Sequence, residues 1–183
     1  MSEPGLQHAI FAGGCFWCME PPFAKLDGVK SVVSGYTGGK TENPSYEEVC
    51  SGRSGHAEAV EVRYDPAVVS YRQLLEVFWR NINPTDEEGQ FADRGSQYRT
   101  AIFVFDQEQR QLAEASKSAL AASGTFTSPI VTEIVPAAPF YPAEEVHQGY
   151  AESNPMRYSM YRYGSGRDRF IERFWGKPPE DKS

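Results

Sequence analysis

The stretch Ala57–Tyr64, which reads AEAVEVRY, alternates its side chains in the pattern of a half-buried β-strand. Val60, Val62 and Tyr64 fall on one face of such a strand, and charged residues occupy the other face. A strand with one apolar face belongs to a sheet that buries that face against another layer of the protein. The sequence therefore predicts a strand at Ala57–Tyr64 that packs on helices.

Apolar runs on both sides of this strand predict further elements. The predicted strands are His8–Ala12, Val29–Tyr36, Thr100–Phe105 and Ile130–Val135. The predicted helices run from about Trp17 to Leu26, from a Ser70 cap through Leu74, Leu75, Phe78, Trp79 and Ile82, and from a capping box of Asp106 and Gln109 to about Ala122. The first part of this order reads β-α-β-β-α-β. The predicted fold is therefore α+β, a two-layer sandwich with a ferredoxin-like split β-α-β core and a mixed sheet.

Two regions show weaker patterns. Asn83–Arg99 has no clear period, and unstructured segments of that length are often functional. After the last predicted strand, only weak helical segments are indicated, near Ala143–Ser153 and Arg167–Trp175. We therefore expect a long, irregular C-terminal part.

Length and composition indicate one globular domain. The 183 residues are predicted to form a single domain, 1–183, which ends in a polar tail at about 177–183. With 18 basic and 25 acidic residues the net charge is −7, so the basic footprint of a protein that binds nucleic acid is absent. Three cysteines are too few for a disulfide scaffold. We expect a cytoplasmic monomer with no membrane segment.

Cys15 and Cys18 directly follow the first predicted strand, after the glycine pair 13–14. If a helix starts here, its N-terminal amides would lower the pKa of Cys15 and favour a reactive thiolate. Pro21 and Pro22 interrupt helical hydrogen bonding a few residues later. The sequence therefore leaves the start of this helix open.

Three interpretations compete for the pair Cys15 and Cys18. A zinc site needs two further ligands, and the only nearby pair, Cys50 with His56, has no recognised spacing, so no metal site is predicted. A C-x-x-C dithiol after a strand is typical of thioredoxin-like proteins, although two bulky aromatic residues separate these thiols. Simple burial in the core suits Cys50 better than two thiols beside a glycine turn.

Glu58 shares the predicted inward face of its strand with Val60, Val62 and Tyr64. Burial disfavours the charged form of a carboxyl group, so the pKa of Glu58 should rise and the protonated acid should persist near neutral pH. A side chain of this kind can act as a general acid. Because Glu58 lies near the start of the strand, the sequence equally allows a frayed and solvated position.

Five motifs occur in an order that is similar to one enzyme family. They are GCFW at 14–17, GYTGG at 35–39, YEEVCSG at 46–52, GHAEAV at 55–60 and YPAEE at 141–145. From about His8 to Tyr158 the chain resembles the A-type peptide methionine sulfoxide reductases. The resemblance implies repair of oxidised methionine, with reduction of the S epimer of the sulfoxide.

The resemblance also implies roles for individual residues. Cys15 would attack the sulfoxide sulfur, and Glu58 would protonate the oxygen, which the hydroxyls of Tyr46 and Tyr98 would hold. The implied substrate-binding residues are Phe16 and Trp17, which form an apolar pocket for the methyl group, with Asp93, His147 and Tyr158. The resemblance implies no cofactor, only an external thiol reductant, thioredoxin. The implied substrates are oxidised proteins and free methionine-S-sulfoxide.

One position departs from the family pattern. Many relatives carry a resolving cysteine in the C-terminal tail, where this chain has Ser159, and no cysteine follows Cys50. A sulfenic acid on Cys15 must therefore condense with Cys18, with Cys50 or with an external thiol. In a turn or helix the Cβ atoms of Cys15 and Cys18 lie about 5–6 Å apart, whereas a disulfide needs ~3.8 Å.

We predict that local unwinding brings these two thiols together as a Cys15–Cys18 disulfide, which thioredoxin reduces. The alternative class of protein is a non-enzymatic binding domain that responds to redox state or to zinc through Cys15 and Cys18.

Overall fold

The structure, a computed structural model, describes residues 5–177. Its strands are β1 (Gln7–Gly13), β2 (Val29–Thr37), β3 (Ala57–Tyr64), β4 (Gly89–Gln90), β5 (Asp93–Arg94), β6 (Thr100–Val104), β7 (Glu133–Pro136) and β8 (Phe140–Pro142). Its α-helices are α1 (Phe16–Ala24), α2 (Tyr46–Cys50), α3 (Tyr71–Arg80), α4 (Gln107–Ala122), α5 (Tyr150–Ser153), α6 (Pro155–Ser165) and α7 (Arg167–Trp175). Short 3-10 helices cover Ser96–Tyr98 and Glu145–His147. Apart from residue 177, the predicted polar tail lies outside the described residues.

One sheet of six strands, in the order β7-β6-β1-β3-β2-β8, forms the centre of the fold. Its neighbouring strands are antiparallel except β6 and β7, which are parallel, so the sheet is mixed. β3 lies between β1 and β2, the two strands that α1 connects, and it pairs with both. The predicted α+β class is confirmed, and the strand that carries Glu58 is central.

The apolar face of β3 is buried, as its alternation predicts. Val60, Val62 and Tyr64 are at most 1% exposed and pack in the main core with side chains of α1, α3 and α4. A smaller cluster around Ile10 and Phe103 covers the opposite face of the sheet. A slip of one residue would move every side chain of β3 to the wrong face. Burial therefore fixes the register that places Glu58.

Side-chain caps start two of the long helices where the sequence predicts them. Ser70 accepts from the backbone N–H of Gln73, and the Gln73 side chain accepts from the N–H of Ser70, which completes a capping box at α3. Asp106 caps α4 by accepting from the N–H of Gln109 at 2.8 Å. The predicted reciprocal bond is absent there, because the Gln109 amide oxygen accepts from Phe105 instead.

The C-terminal part has more helix than predicted. α7 coincides with the predicted segment Arg167–Trp175, whereas Ala143–Ser153 holds only a 3-10 helix and the single turn of α5. α6 lies where the sequence predicted irregular structure. Pro155 occupies its first turn, a position for which proline is preorganised. The sequence of α6 lacks the apolar stripe that marks a helix, and no residue of α6 is fully buried.

The edges of the sheet also differ from the prediction. β7 begins at Glu133, three residues after the predicted start at Ile130, and pairs only with β6. β8 and α2 are too short to show a period, and neither was predicted. Within residues 5–177, no helix combines the length and the apolar character needed to span a bilayer.

Candidate active site

Cys15 lies in the turn between β1 and α1, directly after two glycines. Neither glycine could carry a side chain without a steric clash with neighbouring residues. Gly14 has φ +86°, and a Cβ at this position would lie 2.6 Å from Cβ of Gln90. A Cβ at Gly13 would lie 2.6 Å from the methyl group of Met19. The turn therefore passes too close to its neighbours for any larger residue.

α1 begins at Phe16, so the proline pair does not delay its start. Cys15 is the N-cap, and its carbonyl accepts from the N–H groups of Cys18 and Met19 at 3.0 and 3.3 Å. Pro21 and Pro22 lie inside the helix and donate no hydrogen bonds to the preceding turn.

Arg162 compensates for one of these missing bonds. In a regular helix the carbonyl of Cys18 would accept from residue 22, which is proline here. Nη1 of Arg162 donates to this carbonyl at 3.3 Å. A residue of α6 therefore stabilises the helix that carries both thiols.

The thiols of Cys15 and Cys18 are buried and lie close enough to influence each other's ionisation. Burial raises the pKa of Cys15 well above its usual value, and the contact with Cys18 and the proximity of Glu58 raise it further. The predicted lowering of the Cys15 pKa by the helix amides is wrong for the free protein. The helix does begin there, but desolvation of the thiolate outweighs the attraction of the amides.

Glu58 is buried, with 2% of its surface exposed, and it lies in the paired part of β3 opposite Tyr36. Its inward position agrees with the strand alternation, and the alternative of a frayed strand end is excluded. Burial raises its pKa to about 8, although the N–H of Phe16 donates to Oε1 at 3.2 Å and acts in the opposite direction. The carboxyl group is therefore mostly protonated at neutral pH.

A small cavity of about 40 Å³ brings most of the predicted site residues together. Its lining consists of Cys15, Phe16, Trp17, Tyr46, Glu58, Asp93, Tyr98 and Tyr161. These residues come from α1, α2, β3, β5, the 3-10 helix at Ser96–Tyr98 and α6. A thiol, a protonated carboxyl group, three phenols and an apolar wall therefore surround one space.

Tyr161 is the lining residue that sequence reasoning missed. Its hydroxyl donates to Asp93 and also contacts the Cys15 thiol, and its ring meets Trp17 edge to face. The one signal in the sequence is the spacing of Tyr158, Tyr161 and Arg162 on one side of a helix. This spacing is informative only if the segment is known to be helical. The sequence of α6 has no apolar stripe, so the helix was not predicted.

His147 and Tyr158 do not line this cavity, and their role in substrate binding stays a prediction. His147 lies behind the aromatic wall, where its Nδ1 accepts from the Trp17 indole N–H at 3.1 Å. Burial lowers the pKa of His147, so the ring stays neutral and can accept this bond. The Tyr158 hydroxyl accepts from Arg162 at 2.9 Å. Both residues support groups that reach the site.

Cys18 and Cys50 occupy different positions relative to the nucleophile. Cys18 does not line the cavity but lies close to Cys15. Cys50 is half-buried and hydrogen-bonds to Tyr46 and Tyr98, on the far side of the cavity. Among residues 5–177, no group of three or more His, Cys, Asp or Glu side chains is placed to hold a metal ion.

Comparisons with known proteins agree with the geometry of the site. The family model for peptide methionine sulfoxide reductase matches residues 7–179. The chain is 56% identical over 174 residues to the peptide methionine sulfoxide reductase MsrA of Bacillus licheniformis, covering 95% of this chain and 96% of that protein.

The chain is also similar to solved structures, among them one of a methionine sulfoxide reductase. Methionine sulfoxide reductase A of Corynebacterium diphtheriae is 36% identical with a TM-score of 0.76, and the match covers 85% of this chain and 78% of that one. Mxr1 of Saccharomyces cerevisiae in complex with Trx2 is 26% identical with a TM-score of 0.56, and the match covers 82% and 89% of the two chains.

Proposed function

The chain belongs to the peptide methionine sulfoxide reductase family, and we propose how its residues reduce methionine sulfoxide to methionine. The observation that carries the proposal is the shared cavity of Cys15 and Glu58. One residue supplies a soft nucleophile for sulfur, and the other supplies a proton for the departing oxygen. We propose that the substrate is the S epimer, both free and in oxidised proteins.

The first step transfers oxygen from the substrate to Cys15. The substrate methyl group lies against Phe16 and Trp17, and the Cys15 sulfur attacks the sulfoxide sulfur. The oxygen, protonated by Glu58, then bonds to the Cys15 sulfur as its bond to the substrate sulfur breaks, and the thiol proton passes to Glu58. The transient bond between the two sulfurs breaks, methionine leaves, and Cys15 becomes a sulfenic acid. The thiol is thereby oxidised by two electrons and the sulfoxide is reduced by two.

Glu58 suits the role of acid because it is protonated when the substrate arrives. Its Oε1 already accepts from the N–H of Phe16, which leaves Oε2 to carry the proton. An ionised carboxylate would lack that proton and would also repel the sulfoxide oxygen. The hydroxyls of Tyr46 and Tyr98 face the same cavity and can donate to the oxygen as negative charge develops on it.

Recycling uses Cys18, because it is the thiol in contact with Cys15. Cys18 attacks the sulfur of the sulfenic acid, the S–O bond breaks, and water leaves as the Cys15–Cys18 disulfide forms. The disulfide is then reduced by an external dithiol. The resemblance of this fold to Mxr1 in complex with Trx2 supports thioredoxin as that reductant.

The whole chain is proposed to act as one catalytic domain, in the cytoplasm and as a monomer. α6 contributes Tyr161 to the cavity and α5 packs on α1, which supports a single domain. Three free cysteines suit a reducing compartment.

The decisive experiment is turnover of a methionine-S-sulfoxide peptide, first with dithiothreitol and then with thioredoxin and its reductase. We expect methionine in both reactions, and the R epimer is the matched control that should not react. Bound zinc without any sulfoxide turnover would contradict the proposal and favour a metal-responsive binding domain.

A further inference from the structure

Arg167 is a buried cation without a carboxylate partner. Its side chain lies at the start of α7 and is only 1% exposed. The guanidinium donates to the carbonyls of Gly13 and Asn81, and it lies over the ring of Phe91. No carboxylate oxygen of the described residues comes within 4.0 Å of it. A buried charge of this kind is costly unless an anion lies nearby.

Arg162 brings a second cation to the same end of α1. Besides the Cys18 carbonyl, its Nη1 donates to the hydroxyl of Tyr158, while its Nε pairs with Asp168 at 2.8 Å. Its side chain is mostly buried. Nη1 of Arg167 lies 3.6 Å from the sulfur of Met19, the residue that follows Cys18. The two guanidinium groups therefore lie close to the turn of α1 that contains Cys18.

We propose that Arg162 and Arg167 are positioning residues that hold Cys18 as a thiolate, ready to attack the sulfenic acid on Cys15. This inference rests on the proposed function, in which Cys18 is the resolving thiol. A Cys18 thiolate would supply negative charge near Arg167, which has no carboxylate partner among the described residues. The C-terminal helices, which carry no cysteine, thus contribute to recycling through charge.

The electrostatics around Cys18 agree with this arrangement. Its pKa is lowered to about 6, first by the Cys15 thiol and then by Arg167 and Arg162, against the opposing effect of burial. Asp93 acts weakly in the opposite direction. The other titratable groups that face Cys18 are Glu58, Tyr158 and Tyr161. Among the charged groups near Cys18, Arg162 and Arg167 carry the positive charge.

The first test is a direct titration of Cys18 in the full-length chain. Cys15→Ser and Cys50→Ser leave Cys18 as the only thiol, and thiolate absorbance near 240 nm reports its ionisation without requiring access to it. Removing an opposite charge at this range raises a pKa by roughly 1–3. We therefore expect Arg162→Met and Arg167→Met each to raise the pKa of Cys18. Arg167→Lys, which keeps the charge, should retain most of the low pKa.

Arg157→Met is the matched control, because it removes the same charge from an exposed position on α6. It should titrate like the parent protein. If Arg167→Met fails to fold, Arg162→Met and Arg167→Lys still decide the question. An unchanged Cys18 titration in the folded arginine variants would overturn the inference.

The second test is the pH profile of disulfide formation after a single turnover without reductant, with all three cysteines present. Less thiolate slows the attack at low pH, while the higher intrinsic nucleophilicity of a more basic thiol compensates at high pH. Arg162→Met should therefore slow disulfide formation several-fold at about pH 6 and not at about pH 9. A purely structural defect would slow it equally at both values and would contradict the inference.

Methionine release in the same experiment separates this inference from the proposed function. A wild-type protein that releases no methionine refutes the reductase mechanism, whatever the titration shows. Normal release of methionine together with an unshifted profile of disulfide formation refutes only the role of the arginines.

Discussion

Cys15 is protonated at neutral pH in the free protein, and it lies beside an acid that is also protonated, because burial raises the pKa of both groups. The proposed nucleophile is therefore an uncharged thiol in the free protein. Cys15→Ser should abolish methionine formation, because a hydroxyl is a far poorer nucleophile toward sulfur than a thiol. Quenched single-turnover assays of methionine release measure this directly. Stoichiometric methionine from the serine variant would refute the assignment.

Glu58→Gln tests the acid without changing its size. The amide still accepts from Phe16 but delivers no proton, so the rate of methionine release should fall by roughly 10²–10⁴. In the wild-type protein that rate should decline as pH rises through about 8, where Glu58 loses its proton. The variant should lack this decline. A variant within a few-fold of the wild-type rate at every pH would show that Glu58 is not the acid.

The phenols that face the oxygen should matter less individually. Tyr46→Phe and Tyr98→Phe each remove one donor while the other remains, so each should cost less in rate than Glu58→Gln. The double variant should lose more than the product of the two single effects if both hydroxyls bind the same oxygen. Single-turnover rates of the four proteins form the required cycle. Independent effects would mean that the tyrosines contact different groups.

Helix α1 has to keep Cys15 in place while it attacks the sulfoxide, and it then has to let Cys15 and Cys18 approach each other to form a disulfide. Its first turn is secured by the Cys15 carbonyl, while Pro21 and Pro22 remove two bonds that would otherwise support that turn, and Arg162 replaces the one to the Cys18 carbonyl. Unwinding the segment between the thiols therefore breaks few hydrogen bonds. The helix is suited to the small movement that a Cys15–Cys18 disulfide requires.

Peptide mapping after one turnover without reductant should find a Cys15–Cys18 bond. Cys18→Ser should complete the first turnover and then stall with thioredoxin, because its sulfenic acid has no neighbouring thiol. Cys50→Ser is the matched control and should still form the disulfide. A mapped bond from Cys15 to Cys50, or normal thioredoxin-supported turnover by Cys18→Ser, would exclude Cys18 as the resolving residue.

At the scale of the whole molecule, the buried acid links stability to pH. The folded-state pKa of Glu58, about 8, lies above the value of an unfolded carboxyl group, so the folded protein binds more protons between the two values. The stability that this proton provides is complete below the unfolded pKa and is lost as pH rises toward 8.

Urea unfolding at several pH values tests this linkage. The stability of the wild type relative to Glu58→Gln should fall with rising pH in this window, by at most about 1.4 kcal/mol per pH unit. Comparing the two proteins cancels the titrating groups that do not interact with Glu58. A constant difference across the window would show that Glu58 titrates normally in the folded protein.

The sequence determined the elements whose pattern is local. The bounds of β3 and α7 follow from alternation and helical spacing, whereas the same alternation allowed both an inward and a frayed position for Glu58, and its burial in the structure selects the first. The cavity residues Cys15, Tyr46 and Asp93 came from resemblance to a family, since no local pattern brings them together. The sequence thus selected the residues that we propose as nucleophile and acid, and the structure brings both into one cavity.

The electrostatics of the site and the contribution of the C-terminal helices depend on contacts between residues that are distant in the chain. The pKa of Cys15 moved opposite to the local helix argument, and Tyr161, Arg162 and Arg167 were not foreseen. The physical reason is that hydrogen bonding within a helix or strand depends on near neighbours in the chain, whereas desolvation depends on whatever packs around a group. Arg167 lies 149 positions after Cys18, and nothing in the spacing of the two residues indicates that a cation and a thiol share one buried site.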